Sequence, residues 1–224
     1  MLWIVAGLLL ATGQALPNRT FCDDIWKAAP PVVEDLRAGR QIAIMVAEGL
    51  PAYHFHVAAD PDCGGITKIE VRTAAGLLLQ LLTVEGSEAP FAGSKFLAAE
   101  DLNFDGFLDL MCLTSWGGTG NNSYRIWLFN PKSHLFELSA DLSKLSNPSA
   151  NVKTHEITAS SNLGMAGNVY SRATYQWREG RLVIHSSEQQ DWDPKVRCFV
   201  RMSETYDRPR PKKTRKVVCD PDWK

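Results

Sequence analysis

The chain has 224 residues, of which 45% are hydrophobic and 22% are charged, and its formal net charge is -1. This length and composition suit one globular domain, with or without a tail. The chain is therefore long enough and apolar enough to bury a hydrophobic core.

The first 15 residues, "MLWIVAGLLLATGQA", are almost wholly apolar and end in small residues that suit a signal peptidase. They predict a secretory signal peptide over residues 1–15. The run lacks a preceding Lys or Arg, which leaves open a start further upstream. It is too short to span a bilayer, and no other segment is long enough, so we expect no membrane span.

Residues 16–52 form an N-terminal segment in which Val32 to Ala38 predict one short helix. This helix would begin after Pro30-Pro31 and end at Gly39. Little else in the chain is typical of a helix.

From residue 53 to residue 190 the sequence alternates between short runs rich in β-branched and aromatic residues and breaks containing Gly, Pro, Asn or Asp. Turns are predicted at residues 74–76 and 130–133 and at Glu179-Gly180. The pattern predicts an all-β, antiparallel domain built as a β-sandwich, a barrel or a propeller-like array of small sheets. The predicted strands are "YHFHVAA", "ITKIEVR", "LLLQLLTV", "YRIWLFN", "ATYQWRE" and "RLVIHSS".

Five cysteines in an exported chain favour disulfides and leave one cysteine over. Cys198 and Cys219 bracket two strand-like stretches, so an antiparallel return would bring them together. Cys22 and Cys63 would then tie the N-terminal segment to the sheet. Cys112 lies in the apolar run "LDLMCLTSW" and is the candidate for the unpaired thiol.

Residues 191–224 form a basic C-terminal hairpin, because Lys and Arg accumulate between Lys195 and Lys216. Nucleic-acid binding needs aromatic side chains among the cations, and only Phe199 and Tyr206 are near. We therefore interpret this segment as a solvated hairpin and expect no nucleic-acid partner.

The segment "DLNFDGFLDLMCL" carries a spacing typical of a calcium loop. Calcium takes six to eight oxygen ligands, and a D-x-[DN]-x-[DN]-G-x-x-D run supplies them from one tight turn. Gly106 would take the sharp turn. The segment that follows is strand-like, so this would be a calcium loop in a β setting; an Asx-rich turn without an ion and catalysis by the carboxylates are the alternatives. The predicted calcium ligands are Asp101, Asn103, Asp105, the Phe107 carbonyl and Asp109.

The chain resembles a family of exported bacterial proteins that includes the periplasmic immunity protein of a contact-killing type IV secretion system. That family is similar in turn to the I-type lysozyme inhibitors. The resemblance is carried by "CGGITKIEV", "LLLQLL", "DLNFDGFLDLMCLTS", "WGGTGNNSY", "RIWLFNPKSHLFEL", "LSKLSNPS" and "ASSNLGMAGNVYSRATYQWREGRLV", which cover about residues 53–190. It implies an all-β, propeller-like fold, a calcium ion at the aspartate loop and inhibition of a lysozyme-like hydrolase.

In the lysozyme inhibitors a loop with Ser, Gly and Tyr enters the hydrolase cleft, and the nearest match here lies between two predicted strands. Its glycines and asparagines are typical of an adaptable tip, with an ordinary hairpin loop as the alternative. Within it, Tyr124 is the candidate hot spot and ranks above Arg125. The candidate inhibitory residues are Ser115, Gly117, Gly118, Gly120, Asn121, Asn122, Ser123, Tyr124 and Arg125.

These observations predict a periplasmic or secreted, calcium-binding inhibitor, or immunity protein, of a lysozyme-like peptidoglycan hydrolase. The protein itself is expected not to be an enzyme, since no G-x-S-x-G context surrounds a serine. Two alternatives stay open: a calcium-stabilised surface or adhesion module, and an exported glycoside hydrolase that uses the aspartates.

Overall fold

The computed structural model describes residues 40–59, 65–87, 96–206 and 211–219. Nearly all of the regular structure in these ranges is antiparallel β-sheet. The strands form three separate open sheets in chain order: an N-terminal, a middle and a C-terminal sheet. The prediction of an all-β fold is confirmed, while a propeller-like arrangement of the sheets stays a prediction.

The N-terminal sheet has four strands in the spatial order of the sequence. Two of them, β2 and β3, have the bounds predicted from their alternating patterns, and the predicted turn after β3 is present. There Gly76 has a φ of +83° and its N–H donates to the Thr73 carbonyl at 2.9 Å. The strands are β1 (Arg40–Ile44), β2 (Tyr53–Ala59), β3 (Ile66–Arg72) and β4 (Leu78–Thr83).

The middle sheet also has four strands in sequence order and is followed by a single helical turn, α1 (Ala140–Ser143). Ser139 caps this turn, because its side chain accepts a hydrogen bond from the Leu142 N–H. The strands are β5 (Leu97–Glu100), β6 (Asp109–Trp116), β7 (Asn122–Asn130) and β8 (Leu135–Leu138).

The C-terminal sheet has six strands, again in sequence order from one edge to the other. The predicted turn between β11 and β12 is confirmed, with Glu179 and Gly180 at φ values of +50° and +73°, as a tight two-residue hairpin requires. A 3₁₀ turn, Met165–Gly167, joins β10 to β11. The strands are β9 (Ser149–Asn151), β10 (Glu156–Gly164), β11 (Val169–Arg178), β12 (Arg181–Asp193), β13 (Cys198–Thr205) and β14 (Lys212–Val218).

The core lies on both faces of the middle sheet, because the side chains of β7 alternate between two apolar clusters. Trp127 and Phe129 belong to the cluster shared with the N-terminal sheet. Ile126 belongs to a second cluster with Ile157 of the C-terminal sheet. Side chains two residues apart on a strand share a face, so one strand contributes to both layers. The middle sheet therefore positions the β5–β6 and β6–β7 connections, which carry the candidate sites.

The predicted disulfide between Cys198 and Cys219 is present, with the two Cα atoms 4.8 Å apart. It joins the start of β13 to the residue after β14, as the antiparallel return implied. Cys112 is a buried free thiol in β6, also as predicted. Cys22, Cys63 and the predicted helix lie outside the described residues.

The sheets do not follow the boundaries drawn from the sequence. β1 precedes residue 53 and pairs with β2, and β12 runs through residue 190 into the basic segment. The basic hairpin β13–β14 continues the C-terminal sheet. Within the described ranges, no helix is long and apolar enough to cross a membrane.

Candidate functional site

The aspartate loop joins β5 to β6, and its side chains are bonded to its own backbone. Asp101 accepts the N–H of Asp105 on Oδ1 at 3.2 Å and the N–H of Gly106 on Oδ2 at 2.9 Å. Gly106 has a φ of +89°, a conformation that L side chains rarely adopt. Asp101 and Gly106 therefore close the tight turn that the spacing predicted.

Asn103 and Asp105 complete this turn. The Asn103 Oδ1 accepts the Asp105 N–H at 3.2 Å, and its amide nitrogen donates to the Asp105 Oδ2 at 2.9 Å. The Asp105 Oδ1 accepts the N–H of Phe107 at 3.0 Å. Phe107 packs its ring against the core shared with the N-terminal sheet. The three polar side chains thus lie on one short loop anchored by an aromatic ring.

Asp109, the first residue of β6, is fully buried and has a structural role that the sequence pattern did not reveal. Its Oδ2 accepts the N–H of Leu102 and its Oδ1 accepts the N–H of Phe129 in β7, both at 2.8 Å. Burial is the main cause that raises the pKa of Asp109 to about 7. The two backbone hydrogen bonds lower this pKa, while the charges of Asp105 and Asp101 raise it.

The carboxylate, amide and carbonyl oxygens of the loop are ligands that suit a hard cation. Their arrangement in the structure is not that of a formed metal site. Among the described residues, no group of three or more His, Cys, Asp or Glu side chains is arranged to hold a metal ion. A carboxylate oxygen has two acceptor positions, so an oxygen that accepts one N–H can still bind a cation. Asp101 and Asp105 retain this capacity on the loop. Asp109 is oriented toward the interior by two backbone amides.

The β6–β7 hairpin carries the candidate inhibitory loop, and its tip is short. The N–H of Gly117 donates to the Asn121 carbonyl at 2.7 Å, and the N–H of Gly120 donates to the Gly117 carbonyl at 2.8 Å. Gly120 has a φ of +80°. Residues 116–120 are exposed, whereas residues 121–125 are only half-exposed. The surface available to a partner is therefore the segment Trp116 to Gly120.

Asn121 fixes this tip to the C-terminal sheet. Its amide nitrogen donates to the Asn162 carbonyl and its Oδ1 accepts the Asn162 N–H, both at 2.7 Å. In return the Asn162 amide nitrogen donates to the Thr119 carbonyl at 3.3 Å. The glycines and asparagines of the loop predict an adaptable tip, and the sequence pattern does not single out Asn162 or Thr119. No spacing signal connects two residues 41 positions apart.

The base of the hairpin is held in a similar way. Asn122 donates its N–H to the Asn147 Oδ1 at 3.0 Å and accepts the Asn147 N–H on its carbonyl at 2.9 Å. Ser115 and Ser123 face each other across the two strands. Asn147 also donates to the Ser160 carbonyl at 3.1 Å. The candidate residues Ser115, Asn122 and Ser123 therefore lie in a bonded stem below the tip.

Tyr124 and Arg125 lie further from the tip. Tyr124 packs against both core clusters, and burial raises the pKa of its hydroxyl. Arg125 forms an ion pair with Glu85 at 3.3 Å, and its buried Nε has no hydrogen-bond partner within the described residues. Truncating Tyr124 would therefore disturb the core as well as any interface. Trp116, 42% exposed, is the large aromatic side chain placed beside the tip.

No model of a known protein family matches this chain, and no curated protein matches its sequence. Among solved structures, the chain is similar to a Xanthomonas Type IV Secretion System related protein, with a TM-score of 0.54 and 18% sequence identity. The match covers 80% of this chain and 95% of the other. At this level of identity, the likeness shows that the two chains share a fold.

Proposed function

We propose that this protein is an exported, calcium-binding inhibitor of a lysozyme-like peptidoglycan hydrolase and is not itself an enzyme. The observation that carries this proposal is the exposed tip Trp116 to Gly120, which Asn121 fixes to β10 by two hydrogen bonds of 2.7 Å. A loop that is already ordered loses less conformational entropy when it enters a cleft.

The tip has the shape and the groups that such a cleft would accept. Lysozyme-like clefts hold a sugar chain between two carboxyl groups. Gly117, Gly118 and Gly120 make the tip narrow, and the hydroxyl of Thr119 is a donor toward a carboxylate. Trp116 is a partly exposed, flat aromatic side chain beside the tip. The tip would therefore occupy the substrate position and block access to the catalytic carboxyls.

Calcium would act on the structure of the inhibitor and not on any reaction. The residues that would hold it are Asp101, Asn103 and Asp105, with the Phe107 carbonyl, while Asp109, which points to the interior, would support the loop from within. A bound divalent cation supplies positive charge beside three carboxyl groups, whose mutual repulsion contributes to the raised pKa of Asp109. Because Asp109 bonds to Leu102 and to Phe129, it couples the loop to β7, which is one strand of the hairpin.

Two further findings support the proposed export and a connection with secretion. Disulfides such as Cys198–Cys219 form and persist in oxidising compartments, which favours a periplasmic or secreted protein. The structural neighbour is a Type IV Secretion System related protein, which favours a role connected with such a system.

The test is inhibition of peptidoglycan cleavage by a panel of lysozyme-like hydrolases. Trp116→Ala and Thr119→Ala are compared with Leu138→Ala and Thr154→Ala, which truncate an exposed apolar and an exposed hydroxyl residue elsewhere. At an interface hot spot, Trp116→Ala is expected to weaken inhibition at least about tenfold. The control variants should inhibit like the wild type.

Equal inhibition by all of these variants would place the inhibitory surface elsewhere. Binding to a glycan or a cell-surface protein with no inhibition of any hydrolase would instead support an adhesion module.

A further inference from the structure

The C-terminal sheet carries a polar trough on the face opposite to the one that packs on the middle sheet. The core-facing residues include Ile157 and Tyr175, so the neighbouring positions along β10 and β11 point to the trough. The trough has a volume of about 620 Å³. A smaller cavity of about 250 Å³ adjoins it, shares Ser160 and Arg172, and reaches the hairpin tip.

The floor of the trough is lined by hydroxyl groups in register. Thr158 pairs with Thr174, Thr174 with Ser186, and Ser186 with Thr205, so one row crosses four strands. The Thr174 and Ser186 hydroxyls are hydrogen-bonded to each other. Neighbouring strands are about 4.8 Å apart, so the residues of the row repeat at that step. The bonded hydroxyls of Thr174 and Ser186 form one pair between Thr158 and Thr205. The hydroxyl residues on the floor are Thr158, Ser160, Thr174, Ser186, Ser203 and Thr205.

The charged side chains of three registered rows on this face are mostly cations. Four of them, Arg172, Arg201, Lys212 and Lys216, share this face with one carboxylate, Glu188. Of these five side chains, Arg172 and Glu188 line the trough itself, and the other three lie beside it. Glu188 accepts the Tyr170 hydroxyl at 2.7 Å and lies 3.8 Å from Arg201. Arg201 therefore offsets the negative charge of this carboxylate.

On β14, the cations on the same face as the trough and those on the opposite face differ in their ion pairing. Lys213 pairs with Glu204 at 2.7 Å and Arg215 pairs with Asp193 at 3.3 Å, both on the opposite face. Lys212 and Lys216 form no ion pair with any residue that the structure describes. The sheet face around the trough therefore keeps an excess of positive charge that internal ion pairs do not cancel.

Arg172 is the cation closest to the hydroxyl floor. Its guanidinium lies 4.6 Å from the centre of the Tyr170 ring, which fixes its position over the trough. It is exposed, and although it faces Glu188 across the strands it forms no ion pair within the described ranges. A guanidinium held in this way is a ready donor pair for a carboxylate or a phosphate.

We propose that this trough binds an anionic glycan chain. The rows of hydroxyls would exchange hydrogen bonds with sugar hydroxyls, while Arg172, Lys212 and Lys216 would bind acidic substituents. Single-stranded nucleic acid is disfavoured, because its bases need exposed aromatic faces and Tyr170 is buried beneath Arg172. An acidic peptide would use the cations but not the hydroxyl rows. The proposal does not depend on the inhibitor function.

The experiment compares two double variants that change the net charge by the same amount. Lys212→Ser with Lys216→Ser removes two cations that face the trough, and Lys213→Ser with Arg215→Ser removes two that face away. Binding of an oligogalacturonate is measured by calorimetry, with its methyl ester as the neutral twin and a polyglutamate of equal charge as the acidic peptide. Circular dichroism checks that each variant is folded.

We expect the oligogalacturonate to bind, the methyl ester to bind at least about tenfold more weakly, and polyglutamate to bind more weakly than the glycan. The trough-facing double variant and Arg172→Gln should each lose about tenfold or more in affinity, and the other double variant less than about threefold. Equal losses in both double variants, equal binding of polyglutamate, or no binding of the oligogalacturonate would each overturn the proposal.

Discussion

The side-chain amide of Asn121 bonds to both backbone groups of Asn162, a residue 41 positions further along the chain. The Asn121 amide thus bonds the N–H and the carbonyl of Asn162 in the way that the backbone of a paired strand would. Ser146 and Asn147 bond to the same edge of β10 at Ser160, and β9 pairs with it further along. The hairpin tip is thus built into the edge of the C-terminal sheet.

Removing this contact should loosen the tip. Asn121→Ala deletes three hydrogen bonds, two to Asn162 and one to the Thr119 hydroxyl, each worth about 1 kcal/mol, so the free energy of unfolding should fall by about 1–3 kcal/mol. Amide hydrogen exchange of residues 117–121 and of Asn162 should become faster. Asn130→Ala, in the β7–β8 turn, is the matched control, because its side chain also accepts backbone N–H groups. Unchanged exchange at the tip in Asn121→Ala would show that other contacts hold it.

Asp109→Asn should be the most destabilising conservative change in the aspartate loop. The buried carboxylate accepts two backbone N–H groups, and an Asn amide would place its own donor against one of them. Leaving a buried group unsatisfied costs about 1–3 kcal/mol, and more when the lost acceptor is charged. Urea unfolding measures the loss. Asp141→Asn, at an exposed carboxylate, should change stability by less than about 0.5 kcal/mol.

Calcium should stabilise the folded protein. A ligand that binds only the folded state contributes about 2.7 kcal/mol when its free concentration is a hundred times the dissociation constant. A chelator should therefore lower the melting temperature, and Asp105→Ala should remove the response to calcium. Asp141→Ala, which lies outside the loop, should keep that response. Identical melting curves of the wild type with and without chelator would contradict a calcium site.

The Cys198–Cys219 disulfide should stabilise the C-terminal edge. The bond closes a loop with a sequence separation of 21, for which the chain-entropy model gives about 3 kcal/mol. β14 pairs with β13 at the end of the sheet, so the double variant Cys198→Ser with Cys219→Ser should expose β14 first. Faster hydrogen exchange in β14 than in β11 of this double variant would show that β14 is exposed first. Equal melting temperatures of the oxidised and double-variant proteins would show that the disulfide contributes little.

The elements that sequence predicted well are those set by local pattern. β2 and β3 begin and end where their alternation does, and Glu179-Gly180 forms the turn that a Gly after a polar residue favours. The Cys198–Cys219 pair also followed from a local strand, turn and strand. In each case the deciding residues are close in sequence.

The features that sequence did not predict depend on residues far apart. The Asn121–Asn162 contact joins two sheets, and the burial of Asp109 depends on Phe129 in the next strand. Tyr124 was the candidate hot spot of the loop, yet it lies in the stem because the turn is only five residues long and β7 begins at Asn122. The residue types of a hairpin do not show which of its sides will pack against another sheet.

The most direct test of the inhibitor function is the rate of peptidoglycan cleavage by a lysozyme-like hydrolase, titrated with the calcium-loaded wild-type protein. We expect a loss of activity that increases with the inhibitor concentration, is relieved by excess substrate and is weakened by Trp116→Ala. A hydrolase panel whose activity is unaffected by the folded, calcium-loaded protein would contradict it.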